Sequence, residues 1–515
     1  MTGETLSRRT LFQAIGVGAA AAALPAARLA SPSRLLADDI PTLVWPQPTT
    51  PLADLPAPDP IVQVVNRITF GLRPSDLQRA RSLGFTGFIE EQLTPEAIDD
   101  SETAAALASA FHTLPLSAAA LFKLDKGDVA RELKAAAVYR AAYSRRQLYE
   151  LMVDFWTNHF NIYQTEHLIY WLKTVDDREV VRPNAFGKFR DLLGASARSP
   201  AMLLFLNNAE NKKNGPNENY GREVMELHTM GVDTGYTQTD VEEVARAFTG
   251  WTINKTTGLF YFSAATHDNG ARTVLGQFIP AGLGQEHGER VLDILAGHPA
   301  TAQHLATKLC TRFVSDTPPV SLINTAAATF SASGGDIRET MRTILLAAEF
   351  RAAADQKFRR PLEHVAGAVR TLDARITVPD GTKALLYMLS LMGQTPFGWR
   401  PPNGYPDANA AWANTNGLLN GWNLGLALGG NHLAGVTTDL NGLTGNLKSP
   451  TAASLTDTLA ARLLNRPLTA VDRDRVVQYV AAGKPANAPI PTLKVKSATT
   501  GAIAVLLDSP YFQWR

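Results

Sequence analysis

Two titratable side chains stand out in the stretch NENYGREVMELHTMG, residues 217–231. Its apolar spacing predicts a helix, and a rotation of about 100° per residue places Glu223 and His228 at opposite edges of the apolar stripe. Apolar surroundings disfavour ionisation of a glutamate, which is how enzymes tune a general acid or base. Glu223 and His228 are therefore candidate catalytic residues. The alternative is a buried Glu223 paired with an arginine from another helix, such as Arg360.

A third candidate, His159, lies in DFWTNHFNI, residues 154–162, which also has helical spacing. A histidine among aromatic residues is commonly a core residue bonded to a backbone carbonyl, but Asn158 and Asn161 bring further polar groups to this helix. Buried polar groups need partners, and several in one place indicate a site. If His159 and Glu223 meet in the fold, they form an acid/base pair or two ligands of a metal. The sequence identifies neither a metal nor a cofactor.

Two polar loops carry the candidate substrate contacts. The stretch NNAENKKNGPNEN, residues 207–219, holds six asparagines, which suit either an elaborate turn or hydrogen bonds to sugar hydroxyls. The stretch GQTPFGWRPPNGYPDANAAWANTNG, residues 393–417, combines aromatic rings with amides, which suit either stacking on a sugar ring or anchoring of the loop itself. The candidate substrate-binding residues are Asn158, Asn219, Arg222, Trp399 and Trp412.

The helices that position Glu223 and His228 have recognisable ends. Asn217 or Asn219 can cap the first helix, and Gly231 suits a left-handed C-terminal cap. Thr239 and Glu242 have the spacing of a capping box that begins a second helix. The two helices therefore form a corner. Within it, Arg222 precedes Glu226 by four residues, which predicts a surface ion pair.

Helical spacing also dominates the rest of the chain from Ile61 onwards. The exception is residues 259–279, where LFYFS and TVLGQFI read as the two strands of a small hairpin around the turn HDNGA. The predicted fold is mainly α, a compact multi-helix bundle-like domain with a small β-hairpin insertion. Residues 38–60, which include a proline-rich run, form an arm, and residues 61–515 form the helical domain, with a sub-boundary left open near 315–360.

The N-terminus predicts export. SRRTLF, residues 7–12, precedes a mildly apolar run that is too short to span a bilayer, a pattern that resembles a twin-arginine signal. We therefore expect a signal region at residues 1–37, the twin-arginine translocase as a partner during export, and a periplasmic or secreted location. No transmembrane span beyond the signal is expected. Cys310 is the only cysteine, so no intramolecular disulfide can form, and its apolar neighbours predict a buried thiol.

Charge and motif content exclude several classes of function. The chain has 49 basic and 48 acidic residues, and removal of residues 1–37 leaves a net charge near −2, so no nucleic-acid partner is expected. The pair Arg359-Arg360 suits a helix end or ion pairing. The sequence contains no P-loop, no G-x-S-x-G elbow, no H-E-x-x-H and no C-x-x-C motif. Nucleotide hydrolysis, nucleophile-elbow esterase chemistry and the common zinc protease pattern are therefore disfavoured.

Several longer motifs carry a family resemblance. They are VNRITFGLRPSDLQRARSLGFTGFIEEQL, DFWTNHFNI, NENYGREVMELHTMGVDTGYTQTDVEEVARAFTGW, FRRPLEHVAGAVR and GWNLG. Over roughly Ile61 to Arg515 the chain resembles the bacterial Domain of Unknown Function 1800 family. The resemblance implies an exported, mostly helical protein that is often encoded beside a second exported family resembling alkaline phosphatases and sulfatases. It implies no established catalytic residues.

Two functions of different classes remain open. The first is an exported, hydrolase-like enzyme that uses acid/base or metal-assisted chemistry on an envelope or extracellular polymer such as a glycan. The second is a non-catalytic helical scaffold, or a partner of the neighbouring phosphatase- or sulfatase-like protein. Convergence of Asp154, His159, Glu223, His228 and Trp399 on one cleft would favour the enzyme.

Overall fold

The computed structural model describes residues 52–232, 234–445 and 447–515. The predicted signal region lies outside the described residues, as does the predicted arm up to Pro51. The described end of the arm contains a single 3-10 turn, Leu52–Asp54. Regular helix begins at Pro60, where the Asp59 carboxylate accepts a hydrogen bond of 2.8 Å from the Ile61 amide. Proline is well tolerated at the first helical position, because the N–H group that it lacks would have no partner within the helix.

The described chain is mainly α-helical, as the sequence predicts. The helices of the first half are α1 (Pro60–Ile68), α2 (Pro74–Leu93), α3 (Ser101–Ala110), α4 (Ala118–Leu121), α5 (Lys126–Tyr143), α6 (Gln147–His159), α7 (Ile169–Asp176), α8 (Arg182–Asn184), α9 (Phe189–Arg198), α10 (Pro200–Phe205), α11 (Glu218–Glu226) and α12 (Gln238–Ala247). A π-helical turn, Asp177–Val181, joins α7 to α8. No described helix is both long enough and apolar enough to cross a membrane.

The second half continues the same pattern. Its helices are α13 (Glu286–Gly297), α14 (Pro299–Phe313), α15 (Val320–Ala332), α16 (Ile337–Leu346), α17 (Ala348–Ala352), α18 (Pro361–Thr371), α19 (Asp380–Leu391), α20 (Asn409–Trp412), α21 (Thr415–Gly430), α22 (Leu440–Leu443), α23 (Ala452–Leu464), α24 (Ala470–Ala481), α25 (Thr492–Leu507) and α26 (Pro510–Gln513). One large apolar cluster runs through both halves and includes Cys310, whose thiol is buried as predicted.

The strands form three two-stranded antiparallel sheets, and the predicted hairpin is wrong in its pairing. The strands are β1 (Trp251–Asn254), β2 (Leu259–Phe262), β3 (Arg272–Val274), β4 (Gln277–Ile279), β5 (Arg375–Ile376) and β6 (Val436–Thr437). β2 pairs with β1, and β3 pairs with β4. Local turns decide which strands pair. Leu275 and Gly276 lie between β3 and β4, and both have a positive φ, as the two central residues of a tight hairpin turn require. HDNG instead lies in the connection between the two hairpins.

Two predicted helix ends also need correction. The capping box of α12 is formed by Thr237 and Asp240 rather than by Thr239 and Glu242, since the Thr237 hydroxyl accepts from the Asp240 amide and the Asp240 carboxylate accepts from the Thr237 amide. Helix α11 begins after its predicted cap, Asn217, but regular α-helix ends at Glu226. The chain then winds more widely, and Gly231 has a φ of +94°.

Glycines permit one close crossing near the ends of α1 and α18. A Cβ atom on Gly71, just beyond α1, would stand 2.5 Å from the Cα of Gly367 in α18. Real Cβ atoms do not approach backbone so closely. The crossing brings the residues that follow α1 onto the helix that carries Glu363, one of the residues described below. The contact therefore helps to position the polar centre of the fold.

We expect Gly71→Ala to lower the free energy of unfolding by about 1 to 3 kcal/mol, because the added methyl group overpacks this crossing. Gly297→Ala is the matched control, since a Cβ at Gly297 meets no atom within 4 Å. Chemical denaturation of both variants measures the difference. Equal stability of the two variants would show that the crossing can relax.

Candidate functional site

A cavity of about 290 Å³ opens where α6, α14 and the start of α18 meet the loop that precedes α20. Helix α6 contributes Asn158 and His159 to its wall, and α14 contributes Lys308 and Arg312. The loop contributes residues 403–407 together with the half-buried ring of Trp399. The volume is near the lower end of ligand pockets, roughly 300 to 1,000 Å³. It admits one small group at a time.

His159 and Lys308 form a hydrogen-bonded pair at this cavity. The Nε2 atom of His159 lies 3.0 Å from the carbonyl oxygen of His228, so Nε2 carries the proton and donates it. Nδ1 is then an acceptor, and it receives a hydrogen bond of 2.9 Å from the Lys308 ammonium group. The His228 carbonyl therefore fixes the tautomer of His159, and Nδ1 of His159 in turn orients the Lys308 ammonium group.

Burial makes both partners of this pair easier to deprotonate. It lowers the pKa of His159 well below 6.5, and the neighbouring Lys308 adds to the effect. Burial also lowers the pKa of Lys308 to about 8, although Asp407 opposes the shift. At neutral pH the pair is a neutral imidazole that accepts from a cationic lysine. Proton release from the lysine near pH 8 is within the range that general acids use.

Two further histidines stand behind the pair. The ring centroids of His228 and His304 lie 6.1 and 6.4 Å from that of His159. Burial is the main cause that lowers the pKa of His228 to about 3 and that of His304 to about 4. Their Nε2 atoms are buried and lack a hydrogen-bond partner among the described residues. Across those residues, no group of three or more histidine, cysteine or acidic side chains is arranged to hold a metal ion.

A buried charge network borders the cavity and centres on Glu363. Its carboxylate is fully buried and forms ion pairs with Arg312, Arg360 and Arg515, the last at 2.8 Å. Its second oxygen accepts from the Arg360 amide at 3.0 Å, so it also caps α18. Burial alone would raise the pKa of Glu363, but the three arginines more than offset this effect and hold the pKa well below 4.5. Glu363 is therefore ionised at neutral pH.

Asp154 and Asp407 extend this network to the cavity wall. Asp154 pairs with Arg360 and, at 3.3 Å, with Arg312. Asp407 lies 3.4 Å from Lys357 and 3.9 Å from Arg312. The suggested pairing of Arg360 with Glu223 is wrong, because the Arg360 guanidinium is occupied by Asp154 and Glu363. The expectation that Arg360 serves as a helix-end and ion-pairing residue is confirmed.

Asn158 on α6 and Asn161, two residues after its end, anchor the loop rather than pointing freely into the cavity. The Asn158 amide donates to the Tyr405 carbonyl at 2.9 Å and accepts from the Tyr405 amide at 2.7 Å. The Asn161 amide donates to the carbonyls of Trp399 and Pro401. Gly404 makes this approach possible, because a Cβ there would stand 2.2 Å from the Asn158 carbonyl oxygen. The polar groups of α6 thus fix the loop that closes the cavity.

The aromatic rings of the loop pack against one another as tilted pairs. The rings of Trp399 and Tyr405 lie 4.9 Å apart, and Tyr405 and Trp412 lie 5.9 Å apart. Trp412 is buried, and its indole donates to the Pro406 carbonyl at 2.9 Å. Trp399 keeps part of its ring exposed at the cavity. Of the two tryptophans predicted to contact substrate, Trp399 lines the cavity and Trp412 supports the loop.

Glu223 lies apart from this cavity. Its carboxylate forms no hydrogen bond or ion pair with any described residue, and the charges that act on it are those of Glu226 and Arg222 on its own helix. Burial raises its pKa to about 6, with a further contribution from Glu226. Of the five residues proposed to converge, His159 and Trp399 line the cavity, and Asp154 pairs with Arg312 and Arg360 beside it. The segment that follows α11 contacts His159 through the carbonyl and the ring of His228. Glu223 is not part of this group.

Asn219 and Arg222 also have structural partners. The Asn219 side chain donates to the Leu206 carbonyl at 3.1 Å, which ties α11 to the preceding loop. Arg222 pairs with Glu218 and Glu226, and it donates to Gln238 at 2.9 Å, so the predicted surface ion pair with Glu226 is confirmed. Other asparagines of the 207–219 loop bond backbone carbonyls of α12 and β1.

Sequence reasoning missed several residues of the site. They are Lys308, Arg312, Glu363, Asp407 and Arg515. One signal was present, because His304, Lys308 and Arg312 follow one another at intervals of four and so share one face of α14. FRRPLEHVAGAVR also contains Glu363 three residues after Arg360. The mutual pairing of these charges joins distant parts of the chain, which no local pattern reveals.

The sequence profile of the family described as "Protein of unknown function (DUF1800)" matches residues 63–514. The chain belongs to the DUF1800 family. The match runs from within α1 to just beyond α26, so it contains the cavity and every residue of the charge network except Arg515. No curated protein and no solved structure matches the chain.

We expect Glu363→Gln to destabilise this DUF1800 protein by about 3 to 5 kcal/mol, because the substitution leaves three buried arginines facing a neutral amide. Glu339→Gln is the control, since Glu339 pairs with Arg342 near the surface. That exposed pair is worth about 1 kcal/mol or less. Denaturant unfolding at pH 7 gives both values. A Glu363→Gln protein as stable as the control would contradict a central role for the carboxylate.

The same network predicts acid sensitivity. The pKa of Glu363 is lower in the folded protein than its ordinary value of 4.5, so its stabilising contribution is complete above about pH 4.5. The contribution is lost as the pH falls from there towards the folded pKa. Glu363→Gln should therefore show a weaker loss of stability between pH 6 and pH 3 than the natural protein.

Proposed function

We propose that this protein is an exported hydrolase that cleaves a glycan-type polymer of the cell envelope or its surroundings, with the cavity at Lys308 as its active site. The observation that supports the proposal is that the Lys308 ammonium group has unused hydrogen-bond donors at the cavity. Its ammonium group has three N–H donors, and the described residues accept only one of them, at Nδ1 of His159. The others remain available to a ligand in the cavity.

Lys308 is suited to the role of general acid. With a pKa of about 8 it is mostly protonated at neutral pH, yet it releases its proton more easily than an ordinary lysine. In the proposed reaction it gives this proton to the leaving oxygen of the glycosidic bond. His159 is a positioning residue, because its Nδ1 atom holds the ammonium group in one direction.

Asp407 is suited to the complementary role of general base. Burial would raise its pKa, but Arg312, Arg360 and Lys357 together keep the pKa below its usual range. Its carboxylate is therefore ionised, lines the same cavity as Lys308 and can accept a proton from an attacking water. Most glycosidases use two carboxyl groups as general acid and as general base or nucleophile, and in this proposal Lys308 takes the place of the acid. The ring of Trp399 offers a face for the sugar.

We expect Lys308→Met to lower kcat/KM on a purified envelope glycan by at least about 100-fold, since a general acid contributes roughly 10² to 10⁴ in rate. The rate of the natural protein should fall as the pH rises through about 8, because Lys308 then loses its proton. Reducing-end release measures both effects. Lys383→Met, at an exposed lysine, is the control.

The variants also separate the remaining candidates. Activity that survives Lys308→Met but is lost in Glu223→Gln would move the chemistry to α11, where the Glu223 carboxylate, with its raised pKa, has no described partner. A protein that cleaves none of the glycans and forms a stoichiometric complex with the purified phosphatase- or sulfatase-like neighbour would support the scaffold function. Exposed side chains on the hairpins favour that second candidate, namely Leu259, Tyr261 and Phe278.

We also propose export through the twin-arginine pathway, on the basis of Arg8 and Arg9 before the apolar run. Replacing both with lysine should leave the protein in the cytoplasm. The same change at Arg28 and Arg34 is the control and should leave its location unaltered. Cell fractionation followed by immunoblotting gives the result, and secretion of the Arg8→Lys, Arg9→Lys variant would reject the pathway.

A further inference from the structure

The buried centre of this protein holds more cationic than anionic side chains. Within the network joined through Glu363 and Arg515, seven cationic side chains face four carboxylates. The cations are Arg67, Lys308, Arg312, Lys357, Arg359, Arg360 and Arg515, and the carboxylates are Asp154, Asp316, Glu363 and Asp407. Two further neighbours, the Arg466–Asp355 and Arg370–Asp76 pairs, are each neutral.

Main-chain oxygens accept hydrogen bonds from two of these cations. Arg67 donates to the main-chain oxygens of Val314 and Arg515 at 2.9 and 2.5 Å. Arg359 donates to the carbonyl of Phe512 and to the side-chain oxygen of Asn66. Burial and the adjacent Arg515 lower the pKa of both Arg67 and Arg359 to about 9, as expected where positive charge is crowded.

Lys308 is the cation of this group that opens onto the cavity without a carboxylate partner. Its described hydrogen bond goes to a neutral imidazole, and no described carboxylate lies within ion-pair distance of its Nζ atom. Arg312 and Arg360 line the same cavity but are held by Asp154 and Glu363. A negative group that enters the cavity therefore meets Lys308 as its direct partner, with the excess charge of the network behind it.

We infer that the cavity recognises an anionic sugar, whose carboxylate or sulfate group binds the Lys308 ammonium while its ring packs against Trp399. This inference rests on the proposed function and names its substrate class. A carboxylate and a sulfate ester both present oxygen acceptors with a negative charge, so the site chemistry is the same for the two. The cavity volume of about 290 Å³ limits recognition to one such sugar unit of a longer chain.

Recognition of this kind should depend on pH through Lys308. The charged and titratable groups around Lys308 are His159 from α6, His228 after α11, His304 and Arg312 from α14, and Asp407 from the loop. The three histidines have lowered pKa values and stay neutral above pH 7, and Asp407 stays ionised. Lys308 is then the group of this set that changes charge between pH 7 and pH 9. Affinity for an anion should fall across that interval.

The test is titration calorimetry of the full protein with three trisaccharides, namely trigalacturonate, galactotriose and sulfated galactotriose. At pH 7 we expect at least one of the two anionic sugars to bind about tenfold more tightly than galactotriose, as an added charge-assisted hydrogen bond gives. Tighter binding of trigalacturonate identifies a carboxylate ligand, and tighter binding of sulfated galactotriose identifies a sulfate ligand. Equal affinity for all three sugars would overturn the inference.

Two substitutions distinguish charge recognition from folding and from catalysis. Lys308→Met should abolish the preference for the anion. Lys308→Arg should retain it and lose the fall in affinity between pH 7 and pH 9, because arginine remains charged. A preference that survives Lys308→Met overturns the inference. Binding of anionic sugars without cleavage of any polymer would reject the proposed hydrolase alone, whereas cleavage of neutral glycans with no anion preference would reject this inference alone.

Discussion

The ion cluster at Glu363 is the constraint on which the rest of the site depends. A carboxylate with no exposure to solvent is stable only if its charge is met on several sides, and three arginines from separate segments meet it here. Each of those arginines also has a second task. Arg360 holds Asp154 on α6, Arg312 connects α14 to the cavity wall, and Arg515 bonds the backbone that follows α1. The cluster thereby fixes the relative positions of the helices that surround the cavity.

The loop of residues 399–407 is the second half of this construction. The side chain of Asn158 forms two hydrogen bonds with the backbone of Tyr405, one as donor and one as acceptor. Asn161 holds the loop at a second place, and the tilted ring contacts of Tyr405 with Trp399 and Trp412 hold it at a third. A loop fixed at three points retains its shape without a ligand. The cavity is therefore preformed, and a ligand that enters it loses little free energy to ordering of the protein.

Sequence reasoning predicted the fold better than the site. Apolar spacing of three and four residues identifies helices over most of the chain, because the apolar residues on the buried face of a helix recur at that spacing in its own sequence. It also singled out His159 and Trp399, which both line the cavity, because their unusual neighbours are local in sequence. Pairing is a different matter. The strand Leu259–Phe262 has two possible partners, and only the tight turns at Gly258 and Gly276 select between them.

The site residues that were missed share one property. Lys308, Arg312 and Glu363 are charged residues on helices, and a charged residue on a helix is ordinarily a surface residue. Their burial is decided by partners from elsewhere in the chain. Glu223 shows the converse. Its position beside an apolar stripe predicted a perturbed carboxyl group, yet no local pattern could show that this carboxylate lies apart from the cavity.

The span of these contacts has a consequence for how the protein acquires its structure. The hydrogen bond from Arg67 to the main-chain oxygen of Arg515 joins residues 448 positions apart. Those from Arg67 to Val314 and from Arg359 to Phe70 and Asn66 span 247 to 293 positions. Contacts of such high sequence separation slow folding, because much chain entropy is lost before they form. The helices can assemble locally during synthesis, but the charged centre closes only when residue 515 has been made. Completion of the cavity is thus a late event. A chain that lacks Arg515 has only part of the positive charge that surrounds the buried Glu363 carboxylate.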